Sequence, residues 1–256
     1  MTSLHIETLG QGPDLVLLHG WAMHSGIWGS VRDELAQRFR VHLVDLPGHG
    51  LSPASEPGTL DHLVGMVAGM LPERCMLGGW SLGGQVAMEL AVREPQRVDK
   101  LALISTTPCF AKRDDWEWGM ERKLLQLFLE NLKLNYSTTI NRFLTLQMSG
   151  DRDASKILSQ LRKSFFQRGE PDPDALEKGL RILQHSDLRE RIVTIKQPVL
   201  IVHGENDVIT HPAAADWMHR QLPQSQQVMF AHCGHAPFLS YPEQFVAHLN
   251  AFRTNS

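Results

Sequence analysis

Residues 75–84 read Cys-Met-Leu-Gly-Gly-Trp-Ser-Leu-Gly-Gly. An apolar run suited to a buried strand passes through Gly-x-Ser-x-Gly directly into a segment with helical spacing. A serine on such a turn is held in a strained backbone conformation, and the residues two before and two after it must be small for strand and helix to approach. Gly79 and Gly83 meet that need, which makes Ser81 the candidate nucleophile. The N–H of Leu82 falls in the unsatisfied first turn of the helix and points where an oxyanion would form. A glycine-rich loop around an ordinary surface serine has the same local sequence, so the rest of the chain must supply the partners.

Short apolar runs at 14–18, 40–46, 74–79, 98–105 and 197–203 read as buried parallel strands. Between and after them, 28–39, 60–71, 82–93, 213–222 and 242–252 carry helical spacing, the alternation of a doubly wound sheet. It breaks between about Pro108 and Lys196, where helical patterns at 114–134, 137–148, 154–167 and 174–185 follow one another without a strand. The expected organisation is a core of residues 1–108 and 196–256 with a helical cap at 109–195. A cap there would sit over the carboxyl ends of the strands, where open α/β sheets hold their sites.

A serine hydroxyl needs a base to take its proton and a carboxylate to hold that base in the right tautomer. Gly204-Glu-Asn-Asp207 places an acid just past a strand, and Ala231-His-Cys-Gly-His235 places a histidine on a loop before the last helix. Asp207 and His235 are thus the expected partners. Glu205 and His232 are their local rivals, while His203 and His42 sit in strands and read as core residues or as supports behind the reacting groups. The second oxyanion donor is expected at the Trp21 N–H, after the strand ending in Leu18-His-Gly. Asp45, in a Pro-Gly-rich stretch, suits a turn better than a metal or acid site.

Three cysteines in 256 residues are too few and scattered for a disulfide framework or zinc knuckle. The amino terminus lacks the pattern of a signal peptide, and no apolar run is long enough to span a bilayer. A net charge of −3 argues against general nucleic-acid binding. The expectation is a cytoplasmic monomer that needs no metal or cofactor.

Taken together, His19-Gly-Trp, Asp45-Leu-Pro-Gly-His-Gly-x-Ser52, Gly79-Trp-Ser-Leu-Gly-Gly84, Gly204-Glu-Asn-Asp207 and Gly234-His-Ala-Pro resemble the α/β-hydrolase superfamily over nearly the whole chain. The order serine, acid, histidine agrees. The fold this implies is a mostly parallel sheet flanked by helices, with an all-helical cap inserted after the sixth strand. More narrowly, Pro108-Cys-Phe110 and Arg142-Phe-Leu-x-Leu-Gln147 resemble the pimeloyl-acyl-carrier-protein methyl ester carboxylesterases of biotin synthesis. That resemblance implies hydrolysis of a methyl ester on an acyl chain borne by acyl carrier protein. It places the substrate contacts on Trp21, Ser81, Leu82, Phe143, Leu144, Thr145, Leu146, Gln147 and His235. By spacing alone, Ile140, Phe143, Leu144 and Gln147 share one helical face. Phe143 and Gln147 are the better pocket candidates, because a buried amide needs a partner.

Between Asn131 and Arg168 seven basic residues stand against two acidic ones. The expected carrier-docking set is Arg142, Lys156, Arg162 and Lys163, since positive charge steers an acidic partner. Thr138, Ser155 and Ser159 stand where the family has arginines. A cap-bearing carbon–carbon bond hydrolase, a promiscuous short-chain esterase and an idle acyl-binding protein are the competing readings.

Overall fold

The computed structural model describes residues 3–254, so the first two residues of the amino-terminal segment read above lie outside it. Seven strands, β1 (Ile6–Leu9), β2 (Asp14–Leu18), β3 (Arg40–Val44), β4 (Cys75–Trp80), β5 (Val98–Ile104), β6 (Val199–Gly204) and β7 (Ser225–Phe230), form one sheet in the order β1-β3-β2-β4-β5-β6-β7. Only β1 runs antiparallel to its neighbour. The Leu-, Ile- and Val-rich runs of β2, β5 and β6 and the fully buried β4 occupy the centre, as parallel strands covered on both faces must. β1 and β7 were not legible as strands. Both are half-exposed edges, and β7 carries Gln226 and Gln227 instead of an apolar run.

The helices are α1 (Arg32–Leu35), α2 (Leu60–Ala68), α3 (Leu82–Arg93), α4 (Arg122–Leu134), α5 (Tyr136–Gln147), α6 (Ala154–Phe166), α7 (Pro173–His185), α8 (Arg189–Ile192), α9 (Pro212–Gln221), α10 (Pro237–Ser240) and α11 (Pro242–Thr254). The helical insertion follows the fifth strand of the described residues and not the sixth. The chain enters the sheet with a single antiparallel strand, β1, ahead of β2, so every later strand ranks one lower.

Two helical expectations shorten. In 28–39 a 3₁₀ turn over Ser25–Ser30 is followed by the one-turn α1, with Gly26 and Gly29 weakening any continuous helix. In 114–134 the helix begins only at Arg122. The stretch before it is a tight loop held by backbone bridges Ala111–Met120 and Arg113–Trp116 and by Trp116 Nε1 donating to the Cys109 carbonyl.

The chain goes from β2 outward to β3, then crosses back to add β4 on the other side of β2. Winding reverses between β2 and β4, and the crevice at their carboxyl ends is where such sheets bind ligands. His19-Gly20-Trp21 leaves β2 there, and Ser81 leaves β4.

Candidate active site

Ser81 has φ 56° and ψ −118°, a conformation costly for any residue with a side chain. Hydrogen bonds of its backbone hold it: its N–H donates to Ile104 O at 3.0 Å, and its carbonyl accepts from Gly84 N at 2.9 Å, Gln85 N at 3.3 Å and Thr106 Oγ1 at 2.7 Å. The two glycines are required by space. A Cβ on Gly79 would lie 2.2 Å from the Gly83 carbonyl oxygen, and one on Gly83 would lie 2.5 Å from that of His19. Gly83 thus lets α3 seat against the loop that carries Trp21. Neither the Trp21 nor the Leu82 N–H is taken by a protein acceptor among the described residues.

Asp207 and His235 meet. His235 Nδ1 lies 2.7 Å from Asp207 Oδ2, and both side chains are buried. The other carboxylate oxygen accepts from Ile209 N at 2.9 Å and Thr210 N at 3.0 Å. Burial alone would raise the Asp207 carboxyl. The electrostatic attraction of the nearby His235 ring and hydrogen bonds from His203 and His235 outweigh it, and the group lies well below the usual carboxylate range. With Asp207 ionised, the proton on Nδ1 of His235 is fixed, which leaves Nε2 as the basic nitrogen. That nitrogen is buried and has no hydrogen-bond partner, the Ser81 hydroxyl included. In ligand-free sites such contacts are often long and tighten when substrate is bound.

Thr210, which sequence reasoning did not single out, and His203 complete this corner. Thr210 Oγ1 donates to Asp207 Oδ2 at 2.8 Å, and His203 Nε2 lies 2.7 Å from Thr210 O and 3.3 Å from Asp207 Oδ2. Thr210 carried no motif signal, whereas the place of His203 at a strand end suited a core or supporting residue. A third, Asp151, straps the histidine loop. Its carboxylate accepts from Gly234 N at 3.0 Å and Ser240 Oγ at 2.6 Å, while burial pushes that carboxyl up. The rivals stand elsewhere: Glu205 is exposed, and so is His232, at φ 53°. His42 is occupied with Asp14 at 2.5 Å and Thr8 at 3.1 Å. Asp45 holds its turn through Ser25 N at 2.6 Å and Leu51 N at 2.9 Å.

Ser81 opens into a cavity of about 270 Å³ lined by Trp21, Phe110, Leu125, Phe128, Phe143, Leu180, Leu183, Ile209 and other apolar residues, with Asn131 and Arg142 as the polar exceptions besides the serine. Trp21 is pinned there. Its indole N–H donates to Leu176 O at 2.8 Å, and its ring meets Phe143 edge-on at 4.8 Å.

Along α5, Phe143 and Leu146 line the cavity and Leu144 is core. Thr145 is exposed on the opposite side of the helix, its hydroxyl donating to Asn141 O at 2.8 Å, so it does not line the cavity. Gln147 is fully buried, and neither its amide N nor its amide O has a partner. Its main-chain carbonyl accepts from His235 N at 2.8 Å, which ties the end of α5 to the histidine.

Lys156, Arg162 and Lys163 lie exposed on α6, opposite its buried Ile157, Leu161 and Phe165, and Arg142 lies exposed on α5. None of the four is in an ion pair among the described residues. Two other members of the basic run are engaged: Lys133 with Glu177 at 2.8 Å, and Arg168 with Glu7 at 2.6 Å and buried Asp45 at 3.1 Å.

Residues 15–248 match the model of the alpha/beta hydrolase family. The chain belongs to that family. Within it, the hydrolase is 56% identical over 251 residues to the pimeloyl-[acyl-carrier protein] methyl ester esterase of Nitrosomonas europaea, a match covering 98% of this chain and all of that one. It is 55% identical to the protein of the same name from Nitrosospira multiformis, over 98% of each chain. In fold the hydrolase is similar to an esterase from Exiguobacterium antarcticum, with a TM-score of 0.91 at 23% identity, covering 99% of this chain and 96% of that one. Among the described residues no helix of the hydrolase is long and apolar enough to cross a membrane.

Proposed function

We propose that this hydrolase is a serine esterase that cleaves the methyl ester of pimeloyl-[acyl-carrier protein], giving methanol and the free carboxylate in biotin synthesis. One observation carries the reading. Ser81 sits at the floor of an apolar cavity, backed by an ionised Asp207 hydrogen-bonded to His235, in a chain more than half identical to esterases of that name.

In this mechanism Ser81 Oγ attacks the ester carbonyl while His235 Nε2 takes its proton and returns it to the departing methoxide. Asp207 keeps the ring in its Nδ1–H tautomer. The Trp21 and Leu82 N–H groups receive the oxyanion, and water then hydrolyses the acyl-enzyme. The segment 109–195 acts as the cap that walls the acyl cavity. Phe143 and Leu146 contact the chain, and the unpartnered Gln147 amide serves as the polar contact for an ester or carboxylate group. The four unpaired cations on α5 and α6 steer the acidic carrier to the mouth, which Arg142 borders. All these groups come from one chain, so a monomer suffices.

The test compares the carrier-bound methyl ester with the same ester free of carrier, in the wild type and in a variant with Arg142, Lys156 and Arg162 reversed to Glu, with Ser81→Ala as the blank. The expected outcome is a higher kcat/KM for the carrier-bound ester, lost on reversal and diminished in the wild type by added salt. No carrier advantage together with no effect of the reversals overturns the docking reading, and turnover by Ser81→Ala overturns the nucleophile.

A further inference from the structure

A second opening, separate from the acyl cavity, reaches Leu82, the residue after Ser81. Between α2, α7 and the loop after β3 lies an open groove of about 900 Å³ that includes Ala54, Ser55, Glu56, His62 and Lys178. At its inner end a separate recess of about 30 Å³ shares Ala54, Ser55 and Lys178 with the groove and runs in to His49, Leu82 and Gly179. About 10–15 Å³ of such space suffices for one water, so the recess admits one or two waters or a molecule of methanol, and nothing larger.

The recess has a polar group without a partner. His49 is 3% exposed, its Nδ1 lies 2.9 Å from the Pro47 carbonyl, and its Nε2 is buried unpaired. Pro47 O can only accept, so Nδ1 bears the hydrogen and Nε2 is a bare acceptor. Burial holds the ring's pKa below its ordinary value and so keeps it neutral. Such a nitrogen wants an O–H donor.

At the inner wall, a Cβ on Gly179 would lie 2.7 Å from Trp21 Cδ1 and 3.6 Å from Leu82 Cδ2. The partition there is the edge of the Trp21 indole and the Leu82 side chain, the residue after Ser81. At the outer mouth the stem of Lys178 lies across Gly58, and its ammonium pairs with exposed Glu56. A surface pair of that kind holds weakly and opens readily.

We propose that this recess is the passage by which the small alcohol leaves and the hydrolytic water reaches the acyl-enzyme on Ser81, with His49 Nε2 accepting a hydrogen bond from the hydroxyl in transit. The proposal rests on the carrier-ester reading above. When the acyl chain fills the 270 Å³ cavity and its carrier covers the mouth, that route is closed to both molecules. In the second half-reaction the water oxygen bonds to the acyl carbon, its proton passes to His235 Nε2 and on to Ser81 Oγ, and the bond between that oxygen and the acyl carbon breaks. Nothing else is consumed.

The experiment plugs the outer end of the recess at exposed Ala54, by Ala54→Trp and by the milder Ala54→Leu, with folding followed by thermal melting. Each variant is assayed on the carrier-bound methyl ester and on a short p-nitrophenyl ester, which leaves the acyl mouth open. The expected result is a fall in kcat of about tenfold or more on the carrier-bound ester, with turnover of the short ester held within about twofold, as for a step limited by passage and not by chemistry. His49→Leu should show the same split more weakly. Equal rates for plugged and wild-type enzyme on the carrier ester, or an equal loss on both esters, overturn the proposal. Failure of the wild type to cleave the carrier ester would overturn the underlying reading instead.

Discussion

Replacing Asp207 by Asn tests the relay at its most constrained point. Asp207 Oδ1 is pinned by two backbone donors, Ile209 N at 2.9 Å and Thr210 N at 3.0 Å. An asparagine must therefore keep its carbonyl oxygen on that side and turn its NH₂ toward His235 Nδ1, where Asp207 Oδ2 now sits at 2.7 Å. Two donors cannot face one another, so the ring switches to the Nε2–H tautomer, and the nitrogen that must take the Ser81 proton is no longer basic. The same change in another serine hydrolase costs roughly 10⁴ in kcat, or about 5.4 kcal/mol at 1.36 kcal/mol per decade. The assay is pre-steady-state release of p-nitrophenol from a short ester, with near-ultraviolet circular dichroism to confirm the fold. Loss should fall on acylation, so the burst disappears while KM changes little. A variant that keeps a tenth or more of wild-type kcat would refute the tautomer argument.

Two further perturbations separate stability from function. Gln147→Met should raise stability by about 1–3 kcal/mol, because it removes a buried amide without partners. That corresponds to about 2–4 °C in Tm per kcal/mol for a chain of this size. At the same time kcat/KM on the acyl ester should fall, and a melt showing destabilisation would count against an orphaned amide.

Acid should weaken the fold through the histidines behind the oxyanion loop. Burial, with the neighbouring His49, takes His19 down to about 3 from 6.5, and burial lowers His24 and His49 in the same direction. The unfolded chain then binds more protons than the folded one below about pH 6.5. Stability is therefore full above that pH and declines as the pH falls, by about 1.4 kcal/mol per pH unit toward pH 3 for His19, with His24 and His49 adding to the loss in the same direction. Urea midpoints measured from pH 7 to pH 4 check this, and a flat profile would contradict it.

Much of the site was legible in the chain because its local demands are written in residue type. The Gly79-x-Ser81-x-Gly83 turn needs small residues at two fixed offsets, and an acid after one strand and a histidine before a helix follow from the chemistry of the nucleophile. Other features left no such mark. Edge strand β7 is half polar. Thr210 and Asp151 are ordinary residues until folding brings them to Asp207 and Gly234. The basic run looked uniform in sequence, yet Arg168 turned inward to Asp45 while Lys156 and Lys163 remained free, a division made by which face of α6 and its following loop meets the core.

The sequence by itself determined the alternation of the central strands and helices, the Gly79-x-Ser81-x-Gly83 turn and the choice of Ser81, Asp207 and His235 as the candidate triad, because strand and helix periodicity and glycine spacing act over a few residues. Tertiary structure alone decided that Asp207 and His235 meet at 2.7 Å, that Gln147 is buried without a partner while Thr145 two positions earlier faces solvent, and that a small polar recess backs onto Leu82. Those facts depend on contacts between segments far apart in the chain, as of Gln147 with His235 and of Leu82 with Gly179. No local rule reaches so far, because burial and hydrogen-bond partners are set by which surfaces close on one another.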